Sequence, residues 1–331
     1  MITTPTVLVV GAGASIDYGM PTSRRLAALA SSMVNEGRSL VNQRLFPTDE
    51  LWNAALVVAN AMRGADCPSV DTFLERHPKR PDIQTAGKRL IARVLLEQFL
   101  PNLDLSPEGP KPTNREEMRE DWIAHVWLSM LGIANSFQEF TQINQLRFVT
   151  FNFDTLIEQK LSRNIENLFL VTKAESVSYV QSIITHVHGR LVYLPGQDPI
   201  EQILGQADGI NIVHEAIPSA TKANVVSQVL AAENIAFLGF GYHHYNVEKL
   251  GLAIIHAGIS SLPGLIFGTA HGLGEGQRQQ AKRNFSDRIN VNLDPHNLTC
   301  LNLLREYDLL RSRTHEILED RGNRLAYGLP R

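Results

Sequence analysis

The sequence predicts an α/β protein with a Rossmann-like, doubly wound, mostly parallel sheet. Apolar runs of strand length alternate with segments of helical periodicity, which is the pattern of a parallel sheet covered by helices on both faces. The first run, residues 7–10, reads Val-Leu-Val-Val, as expected of a strand buried on both faces. A glycine-rich turn over residues 11–15 follows, and a helix is expected to begin near Thr22. A turn and helix N-terminus of this kind form an anion site.

The composition is that of a soluble globular protein and excludes several other classes. The chain has 331 residues, 44% hydrophobic and 20% charged, with a net charge of −3. These values predict no general nucleic-acid surface. The two cysteines, Cys67 and Cys300, cannot form a disulfide framework or a four-thiolate zinc site. Because we find neither a signal peptide nor an apolar stretch of about 18 residues, we expect a cytoplasmic protein without a membrane span.

A large helical insertion is predicted inside the sheet core. Residues 42–143 show helical periodicity and no convincing strand, so the Rossmann-like core is expected to comprise residues 1–41 and 144–295. A C-terminal helix is expected within residues 296–331.

Within the insertion, apolar spacing predicts two shorter helices and one long one that bends near Gly132. They cover residues 50–59, 88–100 and 115–142. Four prolines predict a loop over residues 101–112, because proline cannot occupy a helix interior.

After the insertion, strands and helices alternate again. Strands are predicted over residues 146–151, 183–189, 234–241, 262–268 and 289–293. A helix running through Leu161 is predicted after the first of these strands, and others over residues 221–231, 247–257, 275–285 and 298–318.

Unusual residues follow four of the predicted strands, at the carboxyl ends where parallel sheets bind ligands. They are the glycine-rich turn, Asn152 with Asp154, His188, and the glycines near Tyr242. Each has a structural alternative. Asn152 is a possible N-cap, Asp154 a first-turn acid, and His188 a structural histidine with satisfied hydrogen bonds. The glycines are also compatible with ordinary turns.

The first glycine turn does not match the dinucleotide fingerprint of dehydrogenases. Its third position is Ile16, the next glycine is Gly19, and no acidic residue stands where the ribose partner is expected. Histidines 186, 188, 243 and 244 lack a carboxylate or cysteine partner at ligand-like spacing, so we predict no metal site.

The residues at these strand ends, and their order along the chain, resemble the motifs of the sirtuin family. Residues 11–15 match its GAG-x-S turn, and residues 19–21 match its G-[IM]-P. Residues 150–154 resemble its T-x-N-x-D and residues 187–189 its [LV]-H-G. The late glycine-rich strand end over residues 237–242 lies where sirtuins contact the dinucleotide.

The resemblance implies a bound NAD⁺ whose nicotinamide–ribose bond is broken. His188 would act as general base on a ribose hydroxyl or water, Asn152 would position the ribose hydroxyls or the water, and Asp154 would hold the carboxamide. A side chain at Gly13 is expected to occupy the space of the diphosphate. The nucleotide-binding set implied in this way is Gly11, Ala12, Gly13, Ala14, Ser15, Thr150, Gly239, Gly241 and Tyr242.

The departures from the family indicate hydrolysis. The zinc ribbon of sirtuin deacylases needs four cysteines, Phe151 stands where the family has glutamine, and no acyl-lysine channel motif is visible. The helical insertion replaces the zinc module. The chain therefore resembles the sirtuin-like branch of bacterial anti-phage systems, which hydrolyses NAD⁺ to ADP-ribose and nicotinamide. Such effectors are regulated, often as homo-oligomers or with a partner such as a HerA-like ATPase.

Two other functions remain open at this stage. One is an NAD-dependent protein deacylase or ADP-ribosyltransferase, which needs an acylated or protein acceptor. The other is a non-catalytic module that senses NAD or ADP-ribose. We expect NAD as a substrate, no zinc, and no sequence-specific contact with nucleic acid.

Overall fold

One six-stranded sheet organises the computed structural model, which describes residues 1–64, 67, 69–102, 121–253, 265–293, 296–307 and 309–310. Its strands are β1 Thr6–Val10, β2 Leu146–Thr150, β3 Ile184–His186, β4 Asn234–Leu238, β5 Leu265–Gly268 and β6 Asn292–Leu293. The strand order is β3-β2-β1-β4-β5-β6, and every neighbouring pair is parallel. The predicted Rossmann-like α/β fold is confirmed.

The centre of the sheet is β1, which pairs with β2 on one side and with β4 on the other. Thr6 lies opposite Leu146 in one ladder and opposite Asn234 in the other. The chain runs outward from β1 through β2 and β3, and then returns to the far side of β1 as β4. In such sheets the point between β1 and β4 is where ligands bind, outside the carboxyl ends of the strands.

Helices cover both faces of the sheet. They are α1 Ser23–Asn35, α2 Leu40–Leu45, α3 Asp49–Gly64, α4 Val70–Glu75, α5 Pro81–Val94, α6 Trp122–Leu131, α7 Phe137–Ile143, α8 Leu156–Phe169, α9 Lys173–Ile183, α10 Pro199–Ala207, α11 Ser219–Ala231, α12 His244–Lys249, α13 Glu275–Lys282 and α14 Cys300–Glu306. Alternate residues of β1 enter two separate cores, Leu8 and Val10 in one and Val7 and Val9 in the other. This double burial accounts for the uninterrupted apolar sequence of β1.

The connection between β1 and β2 contains α1 to α7, and its described residues include no strand. A short 3₁₀ helix, Ala12–Tyr18, precedes α1. The helix α5 begins with Pro81 at its first position, where the missing N–H of proline does no harm. It continues as a π-helical turn over Leu95–Phe99.

The long helix predicted over residues 115–142 is instead two helices. Helix α6 ends at Leu131, and Gly132 has a φ of 46°, which interrupts the helical path. The next helix, α7, begins after Ser136, whose side chain accepts a hydrogen bond from the N–H of Glu139. Residues 115–120, and residues 103–112 of the predicted proline-rich loop, lie outside the described residues.

Two later helices are shorter than predicted. Helix α12 ends at Lys249 rather than Ala257, and Gly251 follows with a φ of 74°. Helix α14 ends at Glu306 rather than Leu318. The remainders, residues 254–257 and 311–318, lie outside the described residues.

After β2, two helices were not predicted, α9 and α10. Helix α9 begins with a capping box formed by Thr172 and Glu175, and α10 begins with Asp198 as N-cap and Pro199 as first residue. These capping signals are readable in the sequence, although the apolar periodicity of α9 is weak. Among the described residues, no helix has the length and apolarity that crossing a bilayer requires.

The turns that follow β1 and β4 cross each other in close contact, which we call the glycine crossing (residues 11–14 and 238–240). The N–H of Gly11 donates to the carbonyl of Leu238 at 2.9 Å, and the N–H of Gly13 donates to the carbonyl of Gly239 at 3.0 Å. A Cβ built on Gly13 would lie 2.8 Å from the Cα of Gly239. A Cβ built on Gly239, whose φ is 58°, would overlap the backbone of Gly13 and Ala14.

We expect Gly239→Ala to lower the free energy of unfolding by at least about 3 kcal/mol, because the new methyl group adds an overlap to left-handed strain. Gly196→Ala is the matched control: Gly196 has a φ of 83°, but no atom lies within 4 Å of its Cβ position. The control isolates the strain and should lower stability by about 1 kcal/mol. Equal losses in urea denaturation would contradict a steric requirement at the crossing.

Candidate functional site

A cavity of about 230 Å³, called here the strand-edge cavity, opens at the carboxyl edge of β1, β2 and β3. The strand ends that the sequence singles out converge there. The predicted site residues that line it are Gly11, Ala12, Ser15, Asn152, Asp154, His188 and Gly241. The start of α1 contributes Ser23, so the positive end of a 13-residue helix lies at the cavity.

Other members of the predicted set lie outside this cavity and have structural contacts. The Thr150 hydroxyl accepts the N–H of Asn152 at 3.1 Å. The Ala14 carbonyl accepts the indole N–H of Trp122 at 2.8 Å. The Tyr242 hydroxyl donates to the Thr269 carbonyl at 2.8 Å. Gly13 and Gly239 belong to the glycine crossing.

The glycine crossing uses N–H groups of the predicted nucleotide-binding set. Those of Gly11 and Gly13 donate to the β4 turn, and that of Ala14 donates to the carbonyl of Gly11 at 3.0 Å. Ala12 lines the cavity, and within the described part of the chain its N–H has no hydrogen-bond partner outside its own helix. The reason given for Gly13 is also corrected, because a side chain there would first meet the backbone of Gly239.

A chain of hydrogen bonds orients Asn152. Its two amide hydrogens donate to the Gly11 carbonyl at 3.2 Å and to the Ser15 hydroxyl at 3.0 Å. Ser15 in turn donates to Asp154 Oδ2 at 3.0 Å. Because both amide hydrogens of Asn152 are used, its Oδ1 is the atom left for a ligand, and this atom accepts hydrogen bonds.

The N-cap of the helix that follows β2 is Thr155, and the acidic residue of its first turn is Glu158. The N-cap alternative for Asn152 and the first-turn alternative for Asp154 are therefore both wrong. Asp154 lies just before the cap, and its Oδ1 accepts the N–H of Leu156, the first residue of α8, at 3.1 Å. Burial raises the pKa of Asp154, and the hydrogen bonds from Leu156 and Ser15 oppose that rise.

His188 is 3% exposed and packs between aromatic rings. The Phe151 ring meets its imidazole edge-on with ring centroids 5.3 Å apart, so the residue that departs from the sirtuin pattern encloses the histidine. Nε2 lies 3.2 Å from Asn246 Oδ1, an acceptor, so Nε2 carries the proton. Nδ1 is buried and has no hydrogen-bond partner among the described residues. A buried acceptor in this state fits a ligand that brings a hydroxyl or N–H group.

The charge state of His188 follows from its burial. Desolvation, with a smaller repulsion from Lys249, lowers the pKa of His188 to about 3. The imidazole is therefore neutral at physiological pH and holds a free lone pair on Nδ1.

His186, two residues earlier, faces away from the cavity and supports it. Its Nε2 lies 2.5 Å from Glu158 Oε1, and its Nδ1 lies 3.2 Å from the Asn152 carbonyl. The contact with the Asn152 carbonyl ties the His186 ring to the backbone of that residue. No group of three or more potential metal ligands occurs among the residues that the structure describes.

Several residues of the cavity were missed by sequence reasoning. Asn246 lies in α12, just after the β4 turn, where the strand-end argument could have found it. Ser69 and Asp71 come from α4 and its N-cap. No local signal marks them, because only the packing of the helical connection brings them to the sheet edge.

A second cavity, of about 520 Å³, lies on the other side of the glycine crossing. It is lined by Gly13, Gly239 and residues that follow β5, including Thr269. Phe240 and Gly241 line both cavities, so the two meet at the crossing.

Comparison of the chain with protein-family models, with curated proteins and with solved structures found no match.

The low pKa of His188 predicts a pH effect on stability. The pKa of His188 is about 6.5 in the unfolded chain and about 3 in the folded protein. Between these two pH values, His188 is protonated in the unfolded chain and neutral in the folded one. Stability attributable to this residue is therefore full at neutral pH and falls on acidification. At pH 4.5 the loss is about 2 to 3 kcal/mol.

Urea unfolding of the wild type and His188→Gln, each at pH 7 and pH 4.5, measures this effect. The stability advantage of the wild type should shrink by that amount on acidification, whereas the control His271→Gln, on an exposed ring, should leave the pH dependence unchanged. Parallel profiles for the wild type and His188→Gln would show that His188 is protonated in the folded protein.

Proposed function

We propose that this protein is an NAD⁺ hydrolase that cleaves the nicotinamide–ribose bond to give ADP-ribose and nicotinamide. One observation carries the proposal: two oriented acceptors, His188 Nδ1 and Asn152 Oδ1, belong to one cavity at the switch point of a Rossmann-like sheet. A ribose, with two neighbouring hydroxyl donors, complements such a pair. The resemblance of the same strand ends to the sirtuin motifs supports the assignment.

The two cavities suit the two halves of a dinucleotide. The nicotinamide ribose is assigned to the strand-edge cavity and the adenosine to the cavity beyond the glycine crossing. The diphosphate then spans Phe240 and Gly241, which line both cavities, near the positive end of α1. Dinucleotides straddle the same point in other doubly wound sheets.

The charge of the strand-edge cavity suits a pyridinium ring. Its described lining includes the carboxyl groups of Asp71 and Asp154 and the rings of Phe151, Phe153 and Phe240, but no lysine or arginine. Aromatic faces and carboxylates attract a cation and repel a second anion. Of the parts of NAD⁺, the nicotinamide ring is the cationic one.

The chemistry follows from these positions. As the bond from ribose C1′ to the ring nitrogen breaks, its electron pair neutralises the pyridinium, and positive charge develops on the ribose. Asn152 Oδ1 accepts a hydrogen bond from a ribose hydroxyl or the attacking water, and His188 Nδ1 accepts a proton or hydrogen bond from the ribose. Asp154, held by Ser15 and Leu156, borders the space assigned to the carboxamide. Water completes the reaction at C1′.

The resemblance to the anti-phage branch also suggests a role for the protein in the cell. In that setting the hydrolase is a defence effector that depletes NAD⁺ and is regulated within a homo-oligomer or by a partner such as a HerA-like ATPase. Light scattering of the purified chain tests the oligomer directly. A monomeric mass at micromolar concentration would contradict the proposed homo-oligomer.

His188→Ala should lower nicotinamide release from NAD⁺ by at least about 100-fold, because it removes the acceptor at the ribose. Affinity for NAD⁺ should stay within about threefold, because Phe240, Gly241 and the start of α1 still border the diphosphate. Chromatography of products from the purified chain, with and without an acetylated peptide, measures turnover. His77→Ala is the control, since this histidine lines neither of the two cavities.

The outcomes separate the functional classes. Peptide-independent ADP-ribose and nicotinamide that are lost in His188→Ala would support the hydrolase. Product only with peptide would identify a deacylase, and tight binding without turnover would identify a sensor. Normal turnover in His188→Ala would remove His188 from the mechanism.

A further inference from the structure

The strand-edge cavity contains a carboxylate that the proposed reaction uses only for its charge and not in proton transfer. Asp71 lies in the first turn of α4, within the helical connection between β1 and β2, and it lines the same cavity as His188 and Asn152. No ion pair within 4 Å and no hydrogen bond to another side chain engages its carboxylate among the described residues. The backbone N–H groups of Asp71 and Val213 interact with its oxygens, which otherwise meet the cavity.

One loop ties Asp71 to the wall that carries His188. The N–H of Asn211 donates to the His188 carbonyl at 2.8 Å. Two residues further on, Val213 lines the cavity, and its backbone interacts with Asp71. The ammonium group of Lys249 donates to the Val213 carbonyl, which holds this part of the loop in place. Residues 211–213 thus contact His188 at one end and Asp71 at the other, and both side chains line the same cavity.

The electrostatic surroundings make Asp71 the better proton acceptor of the two. Burial raises the pKa of Asp71 to about 6, the nearby Glu215 adds to the rise, and Lys249 and the backbone of Val213 oppose it. The carboxylate is therefore ionised at neutral pH yet takes a proton readily. A general base works best when its pKa lies near the working pH, and the pKa of His188, about 3, is far below it.

We propose that Asp71 is a catalytic residue of this site, the general base that deprotonates the attacking water; this inference rests on the proposed NAD⁺ hydrolysis. The bond from C1′ to the nicotinamide nitrogen breaks, and its electron pair stays with the leaving ring. The water oxygen forms a bond to C1′, and the proton of that water passes to the Asp71 carboxylate, which later releases it to solvent. His188 keeps its hydrogen bond to the ribose.

The role also explains why hydrolysis is the outcome at this site. Water is a poor nucleophile until a base removes its proton, and a carboxylate beside an oxocarbenium-like ribose additionally stabilises the positive charge. The helical connection thus supplies the proposed base, whereas the sheet edge supplies His188 and Asn152.

Asp71→Asn tests the role, because it keeps the shape of the side chain and removes its basicity. It should lower hydrolysis of NAD⁺ by at least about 100-fold and leave affinity for NAD⁺ within about threefold. Sodium azide is an anionic nucleophile with no proton to remove. Added azide should therefore restore nicotinamide release in Asp71→Asn and give ADP-ribosyl azide, detectable by mass spectrometry.

Two further variants complete the test. Asp71→Glu keeps a carboxylate and should retain clearly more hydrolysis than Asp71→Asn. Asp208→Asn makes the same change on the exposed cap of α10 and should leave hydrolysis unchanged. Thermal unfolding will show whether Asp71→Asn folds. If it does not, Asp71→Glu is measured instead, with and without azide. A folded Asp71→Glu variant that releases nicotinamide no faster than buffer, and no faster with azide, overturns the role.

The failures are distinguishable. Hydrolysis by Asp71→Asn at the wild-type rate overturns the role of Asp71 and leaves the hydrolase standing. Loss of NAD⁺ binding together with no azide reaction shows that Asp71 is structural, which also overturns it. A wild-type chain that binds NAD⁺ and releases no nicotinamide overturns the proposed function itself, and the role of Asp71 with it.

Discussion

The contact between two stretches of backbone, after β1 and after β4, is the constraint on which the candidate site depends. At the glycine crossing the N–H groups of Gly11 and Gly13 donate to carbonyls of the β4 turn, and a Cβ on Gly239 would overlap the opposite chain. The two strand ends can approach this closely only without side chains. Their approach sets the two cavities side by side, because Phe240 and Gly241 line both.

Burial, more than formal charge, determines the protonation of the groups that line the strand-edge cavity. Removing water lowers the pKa of His188 and raises those of Asp71 and Asp154, so every shift favours the neutral form. The polar groups that remain are held by neighbours: Asn152 by Ser15 and the Gly11 carbonyl, and Asp154 by Ser15 and Leu156. A site ordered before its ligand arrives loses little entropy on binding.

The sequence was sufficient to predict the sheet and the strand ends. Apolar runs mark buried parallel strands, and polar or glycine residues directly after them mark the ligand edge, so His188 and Asn152 were found without a structure. Helix ends were less predictable. Gly132 and Gly251 end their helices through positive φ values, which the apolar periodicity of the surrounding residues does not reveal. Capping residues such as Thr172 carried a signal that periodicity alone overlooks.

Some residues of the site could not be predicted in this way. Asp71 reaches the cavity because α4 packs against α1, α3 and α5, and tertiary packing of this kind leaves no trace in local sequence. The glycines show a second limit. Their positions were identified correctly as special, but a pattern does not say whether the missing side chain makes room for a ligand or for the chain itself, and at Gly13 it is the chain.

The pairing of the central strand has a consequence for synthesis of the protein on the ribosome. Thr6 of β1 pairs with Leu146 and with Asn234, so this strand waits for partners encoded far downstream. Contacts at such separations form late and slowly. A nascent chain therefore carries an apolar strand with unpaired edges until β2 emerges, a state that favours chaperone binding. The cavity itself is incomplete until Asn246 has been translated, so no nascent chain that ends before this residue contains the whole site.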